Sequence, residues 1–296
     1  MADQAQSLRD LARGIRRDLG LGTIVRHSRI WAVTSGKGGV GKTNFAINLG
    51  VALQELGQRV LLFDADLGLG NVDIALGFYP RYNLGHVLRG EREMDQVVEE
   101  GPSGLKVVAG GSGLGELLEL SPARVREFTG QLASLEEMAD VIFLDTGAGL
   151  SNTVLSFVLA ADEIILVTTP EPTALADAYA VLKVACQRQP SVTFRVVLNR
   201  VKDSSDAAAA AERLNAVSRR FLGREMEVLG YIFDDPHVPR AVCRQEPFFS
   251  LYPDCAASRC IEEMAGKLTG ITTSQPKGVI GFFRDLGRWV GAGGRG

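Results

Sequence analysis

The chain has 296 residues, of which 46% are hydrophobic and 23% charged, and its formal net charge is −3. That size and apolar content suit one large α/β domain, and the near-neutral total argues against a general nucleic-acid coat, so no direct contact with nucleic acid is expected. Cys186, Cys243, Cys255 and Cys260 make neither a C-x-x-C pair nor a His-paired metal spacing, and no signal-peptide pattern or bilayer-length apolar run occurs, so the reducing cytoplasm is the expected compartment.

Residues 3–19 read as an amphipathic helix. Asp3 can cap it with Gln6 three residues on, and Ala5, Leu8, Leu11, Ala12, Ile15 and Leu19 form one apolar stripe. Gly20 and Gly22 end it, and a linker follows to about Ser28. Residues 1–29 hold six Arg against three Asp, and residues 277–296 hold three Arg and one Lys against one Asp, which leaves −9 for the body. Basic ends on an acidic body suggest that each end has its own partner, although the N-terminal stripe could equally pack on its own core.

The apolar run Ile30-Trp31-Ala32-Val33 leads into Gly36-Lys37-Gly38-Gly39-Val40-Gly41-Lys42-Thr43, which meets the phosphate-loop pattern G-x-x-x-x-G-K-[ST], and a helix-periodic segment follows. The glycines allow backbone N–H groups to cradle phosphates at the helix N-terminus. Lys42 can reach the β- and γ-phosphates, and the Thr43 hydroxyl can ligate Mg²⁺. Further β-branched runs at 60–63, 105–108, 141–144, 164–167, 194–198 and 228–232 alternate with helix candidates near 122–138, 150–160, 172–188, 206–222 and 254–268. The fold class expected is α/β: a doubly wound, mainly parallel sheet with helices on both faces, whose ligands bind at the carboxyl ends of the strands.

Three of those ends carry polar residues. Asp64 and Asp66 end the second run, and two carboxylates so close are too costly to bury without a metal, water or cationic partner. Asp145 follows four apolar residues and precedes Thr146-Gly147-Ala148-Gly149, the Walker B arrangement that sets a carboxylate beside Mg²⁺, with glycines that let the loop move. Asn199 ends the 194–198 run, where Asn is also a common turn former. After Pro276, a turn of about 100° per residue gathers Val279, Ile280, Phe282, Phe283, Leu286, Trp289 and Val290 on one half of a helix and Lys277, Arg284, Asp285 and Arg288 on the other. Such a short, basic, aromatic helix suits an anionic membrane surface, with docking on its own core or a partner as the alternative. The chain thus divides into residues 1–29, a phosphate-loop α/β domain over 30–270 and a tail over 271–296.

With its extra lysine at Lys37, the segment from about Ile30 to Gly270 resembles the MinD/ParA family of deviant Walker A ATPases. The resemblance implies ATP and Mg²⁺ as cofactors and a homodimer formed on ATP, in which Lys37 crosses to the other subunit's phosphates in the manner of an arginine finger. It also implies that Asp66 positions the attacking water, that Asp64 supports the magnesium shell and that Asn199 reads the adenine edge. Backbone groups around Phe233-Asp234-Asp235-Pro236 would close over the base. Asp3-Gln4-Ala5-Gln6-Ser7-Leu8-Arg9 is similar to the D-Q-A-x-x-L-R motif of the family's flagellar-number regulators, where Asp3, Gln4, Leu8 and Arg9 would contact an FlhF-like signal-recognition-type GTPase. Flagellar switch-complex proteins or a flagellar transcription regulator would be further partners, and the tail would hold the protein reversibly on the inner face of the cell membrane. A division-site regulator of the MinD type, which lacks the N-terminal motif, and a partition ATPase of the ParA type are the other readings.

Overall fold

The computed structural model describes residues 27–66, 70, 72–101, 104–110, 131, 134–270 and 276–293. The N-terminal helix expected over 3–19, with Asp3, Gln4, Leu8 and Arg9, lies outside the described residues, as does most of the 122–138 candidate, of which 131 and 134–138 are helical.

Every apolar run named above becomes a strand of one eight-stranded sheet. These are β1 (Arg29–Thr34), β2 (Val60–Ala65), β4 (Lys106–Val108), β5 (Val141–Thr146), β6 (Glu163–Thr168), β7 (Phe194–Val201) and β8 (Glu227–Phe233), with β3 (Val98–Glu100) at one edge. The order is β3-β4-β2-β5-β1-β6-β7-β8, and all neighbours are parallel except β3 with β4. β1, β2, β5 and β6 are buried nearly end to end, which is why they read as continuous apolar runs rather than as alternating ones. β3 was not legible, because its sequence Val-Glu-Glu is half-exposed on one edge.

Helices cover both faces. On one face α1 (Lys42–Glu55), α2 (Val72–Leu76), α7 (His237–Arg244), α8 (Phe248–Leu251) and α9 (Ala256–Thr269) pack over Trp31, Val33, Leu62 and Phe143. On the other, α3 (Leu84–Leu88), α4 (Asn152–Ala160), α5 (Pro172–Arg188), α6 (Ser204–Leu222) and α10 (Gly278–Gly293) pack over Ile30, Ala32, Phe63 and Leu144. Expected helices at 150–160, 172–188, 206–222 and 254–268 correspond to α4, α5, α6 and α9, with caps that explain their starts: Ser151 Oγ accepts from Val154 N, Pro172 opens α5, and Asp203 Oδ1 accepts from Asp206 N at 2.8 Å. The short α7 and α8 gave no periodic signal. Buried Asn48 of α1 instead anchors α8, its Oδ1 accepting from Phe249 N at 2.8 Å.

The tail forms the amphipathic helix expected of it, but in this conformation its apolar face is not turned to a membrane. Val279, Phe282 and Leu286 are buried against the sheet face and α4, Phe283 and Trp289 are partly buried beside them, and Ile280 is exposed. Phe282 meets Phe157 with ring centroids 6.3 Å apart. Of the two readings the sequence left open, docking on the body is the one found, because α4 offers apolar side chains such as Phe157 and the backbone at residues 277 and 279 finds acceptors in Asp162 and Glu136. α10 is therefore packed into the same core as one face of the sheet.

Candidate active site

The carboxyl ends of β1 and the strands beside it lie together, and the residues expected around the phosphate loop gather there. Gly41 has φ of 92°, and a Cβ at this position would lie 2.3 Å from Asn199 Nδ2, so both conformation and space demand glycine. No side chain caps the α1 N-terminus. Its first backbone donors are thus left for a ligand, as an anion site at a helix start requires.

Below this loop three side chains converge. Lys42 Nζ lies 2.5 Å from Asp145 Oδ1, and Thr43 Oγ1 donates to Asp145 Oδ2 at 2.7 Å. Strand register sets Asp64 opposite Asp145. Asp64 accepts from Asp66 N at 3.1 Å and from Val72 N at 3.4 Å, yet its carboxyl is pushed up to about 7, first by burial and then by the charge of Asp145, against the pull of those two N–H groups and Lys42. Two buried carboxylates and a hydroxyl, with one lysine between them, make a hard-oxygen donor set short of positive charge. These residues fit Mg²⁺, with Thr43, Asp64 and Asp145 as the groups that would hold it.

Asp66 is half-exposed at the rim, and a Cβ added at Gly147 would lie 3.4 Å from its Oδ1, so the two acidic loops face one another. The Asp145 loop is tied to the phosphate loop through Gly149 N donating to Ser35 O at 2.9 Å. Lys37 points away from Lys42 and Thr43: its Nζ lies 2.7 Å from Glu171 Oε2 and 3.3 Å from Thr173 Oγ1 at the start of α5. The lysine's hydrogen bond and charge hold the Glu171 carboxyl below its usual range. The roles of Glu171 and Thr173 were missed, although the carboxyl end of β6, Thr168-Thr169-Pro170-Glu171, carried the same signal as the three ends that were read.

Beside the loop opens a cavity of about 490 Å³ lined by Gly41, Asn44, Phe45, Asn199, Phe233 and Asp235 among others. Asn199 and residues 233–235 line this cavity together, but the Asn199 amide is already engaged: Nδ2 donates to Val40 O at 2.7 Å and Oδ1 accepts from Arg200 N at 2.9 Å. In this structure Asn199 braces the phosphate loop. Asn44, Phe45 and Val238, unforeseen in the sequence, supply wall to the cavity. The remaining site residues, Gly36, Gly38, Gly39 and Val40, form the loop between β1 and α1.

Residues 31–248 match the model of the CobQ/CobB/MinD/ParA nucleotide binding domain. The chain is 37% identical over 256 residues to the antiactivator FleN of Pseudomonas aeruginosa, covering 86% of this chain and 91% of that protein. It is 33% identical over 272 residues to the flagellum site-determining protein YlxH of Helicobacter pylori, covering 90% and 92%. Among solved structures, the septum site-determining protein MinD complexed with Mg-ADP from Pyrococcus horikoshii superposes with a TM-score of 0.66 at 26% identity, over 82% of this chain and 96% of that one.

Proposed function

We propose a function from one premise: this chain belongs to the CobQ/CobB/MinD/ParA family of nucleotide-binding domains, and the relatives it matches over nine-tenths of their length include an antiactivator and a flagellum site-determining protein. On this reading it binds ATP with Mg²⁺, hydrolyses it slowly and regulates the number or position of flagella. Bound Mg²⁺ would supply charge compensation at the phosphates. Lys42 and the α1 amides would hold the phosphates, Asp145 and Thr43 would hold the ion with Asp64 in support, and Asp66 would orient water for attack. Asn199 would turn from Val40 to the base, or brace the loop while Phe233–Asp235 meet it.

The observation that carries the reading is the pair of lysines with separate destinations. Lys42 sits on the metal-side carboxylate, whereas Lys37, in the same loop, is held outward on α5. An outward cation on the open face of a phosphate loop suits completion of a second copy's site, so ATP would join two chains and hydrolysis would part them. The N-terminal segment, through Asp3, Gln4, Leu8 and Arg9, would stimulate an FlhF-like GTPase. Switch-complex proteins or a flagellar transcription regulator would read the dimer.

Membrane association belongs to the same proposal with a condition attached. No helix among the described residues is long and apolar enough to cross a bilayer. α10 would have to leave the body before Phe282 and Leu286 could enter lipid, and burial of each such side chain is worth roughly 1.5–3 kcal/mol on either surface. One tail therefore gains little by changing surface. Two tails on a dimer gain about 10²–10⁴ in avidity, which tips the balance.

The test is genetic and chemical together. In a flagellated bacterium lacking its own regulator, this chain should restore the normal flagellar count in electron micrographs, and Lys42→Ala, which should lose ATP binding by calorimetry, should not. Restoration by the Lys42→Ala chain would remove ATP from the account.

A further inference from the structure

The first described residues and the start of α10 are held by the same two carboxylates. Glu136 Oε2 lies 3.0 Å from His27 Nδ1, while its Oε1 accepts from Val279 N at 2.6 Å. Asp162 Oδ2 accepts from Ile30 N at 2.9 Å, while its Oδ1 accepts from Lys277 N at 3.0 Å. Each carboxylate thus binds one donor from residues 27–30 and one from residues 277–279. The join is close: Gly278 has φ of 70°, and a Cβ there would lie 2.3 Å from Glu136 Oε1 and 2.7 Å from His27 Nδ1.

Packing repeats the pattern. Ser28 is fully buried with its hydroxyl on Ala139 O at 2.7 Å, and Ile30 shares one cluster with Val279, Phe282 and Leu286. α10 lies over the start of β1 as well as over α4. Lifting it would take from each carboxylate the donor that residues 277–279 supply and leave it the one from residues 27–30. Glu136, freed from Val279 N, would then have to lose side-chain entropy anew to hold His27. Groups fixed by one contact cost less to engage by the next, which makes the two contacts cooperative.

We propose that α10 is a latch on residues 27–30: while docked it completes the two carboxylate clasps that hold them, and its displacement by a competing apolar surface loosens the point where the preceding segment joins the body. Occupation of one end is thereby transmitted to the other across a few ångströms, without passage through the nucleotide site. The latch rests on these contacts alone. Its use as a signal, in which a lipid surface that takes α10 hands the N-terminal segment to its partner, rests on the function proposed above.

Amide hydrogen exchange on the full chain, with no nucleotide, lipid or partner present, tests the latch separately from that function. In Phe282→Asp, exchange over 279–286 should rise, and exchange over 27–31 should rise with it by at least about fivefold, the lower end of ordinary coupling between sites, while the interior of α1 stays protected. Gly278→Val, which forces Glu136 and His27 apart, should do the same. Coupling must also run in reverse, so His27→Ala, a change at a half-exposed side chain, should speed exchange over 279–286. Should Phe282→Asp unfold the whole chain, the His27→Ala result decides alone. Opening of 279–286 with 27–31 unchanged, or an unmoved 279–286 in His27→Ala, would overturn the latch.

Discussion

Lys37 and Glu171 form an exposed pair 2.7 Å apart, and exposed pairs of this kind are weak, so the latch they make on the monomer is easily released. If Lys37 must leave Glu171 to reach a second copy, Glu171→Gln should favour the ATP-bound dimer by about two- to threefold per subunit, read as a lower dimer dissociation constant in sedimentation. Weaker dimerisation would mean that Glu171 acts across the interface instead. Asp64 gives a second test with a defined sign. Its carboxyl is raised from 3.8 to about 7 in the fold, so its contribution to stability is fully present below the lower value and is lost as pH rises through the upper one. In nucleotide-free, metal-free protein, Asp64→Asn should therefore gain melting temperature relative to the parent as the pH is taken from about 5 to about 8. A difference that does not change with pH would show that Asp64 is already charged and compensated.

Of the elements, α1 and its loop were the most legible, because Gly41, Lys42 and Thr43 each answer a requirement that few residue types meet. Gly41→Ala should lose nucleotide binding by at least about tenfold in calorimetry, since a Cβ at 2.3 Å from Asn199 Nδ2 and a φ of 92° displace the loop that must cradle the phosphates. Unchanged affinity would detach the loop's geometry from its role. The sheet was read from its β-branched runs almost completely, since burial on both faces leaves an unmistakable pattern. What escaped was set by tertiary contact. β3 is polar because it lies at an edge, α7 and α8 are too short for a period to register, and Glu171 acquires its role only when α5 brings it to Lys37. α10 was foreseen as a helix with the correct apolar face, but a wheel cannot say what that face meets. The answer lay in Phe157, Glu136 and Asp162, more than a hundred residues away.

Taken as a molecule, the described residues form an eight-stranded sheet with the phosphate loop at the carboxyl ends of its central strands and with residues 27–30 tied to the start of α10. The site can be read as a switch only if ATP changes how many chains are joined. Asp66→Ala leaves the phosphate loop, Asp145 and Lys37 intact while removing the group proposed to orient water, so the ATP-bound form should accumulate. Light scattering with saturating ATP and Mg²⁺ is the direct measurement. Asp66→Ala should run at about twice the 31.8 kDa of one chain, and adding Lys37→Ala to it should return it to one chain's mass with ATP still bound. An Asp66→Ala protein that binds ATP and remains at the mass of a single chain would contradict the account at its centre.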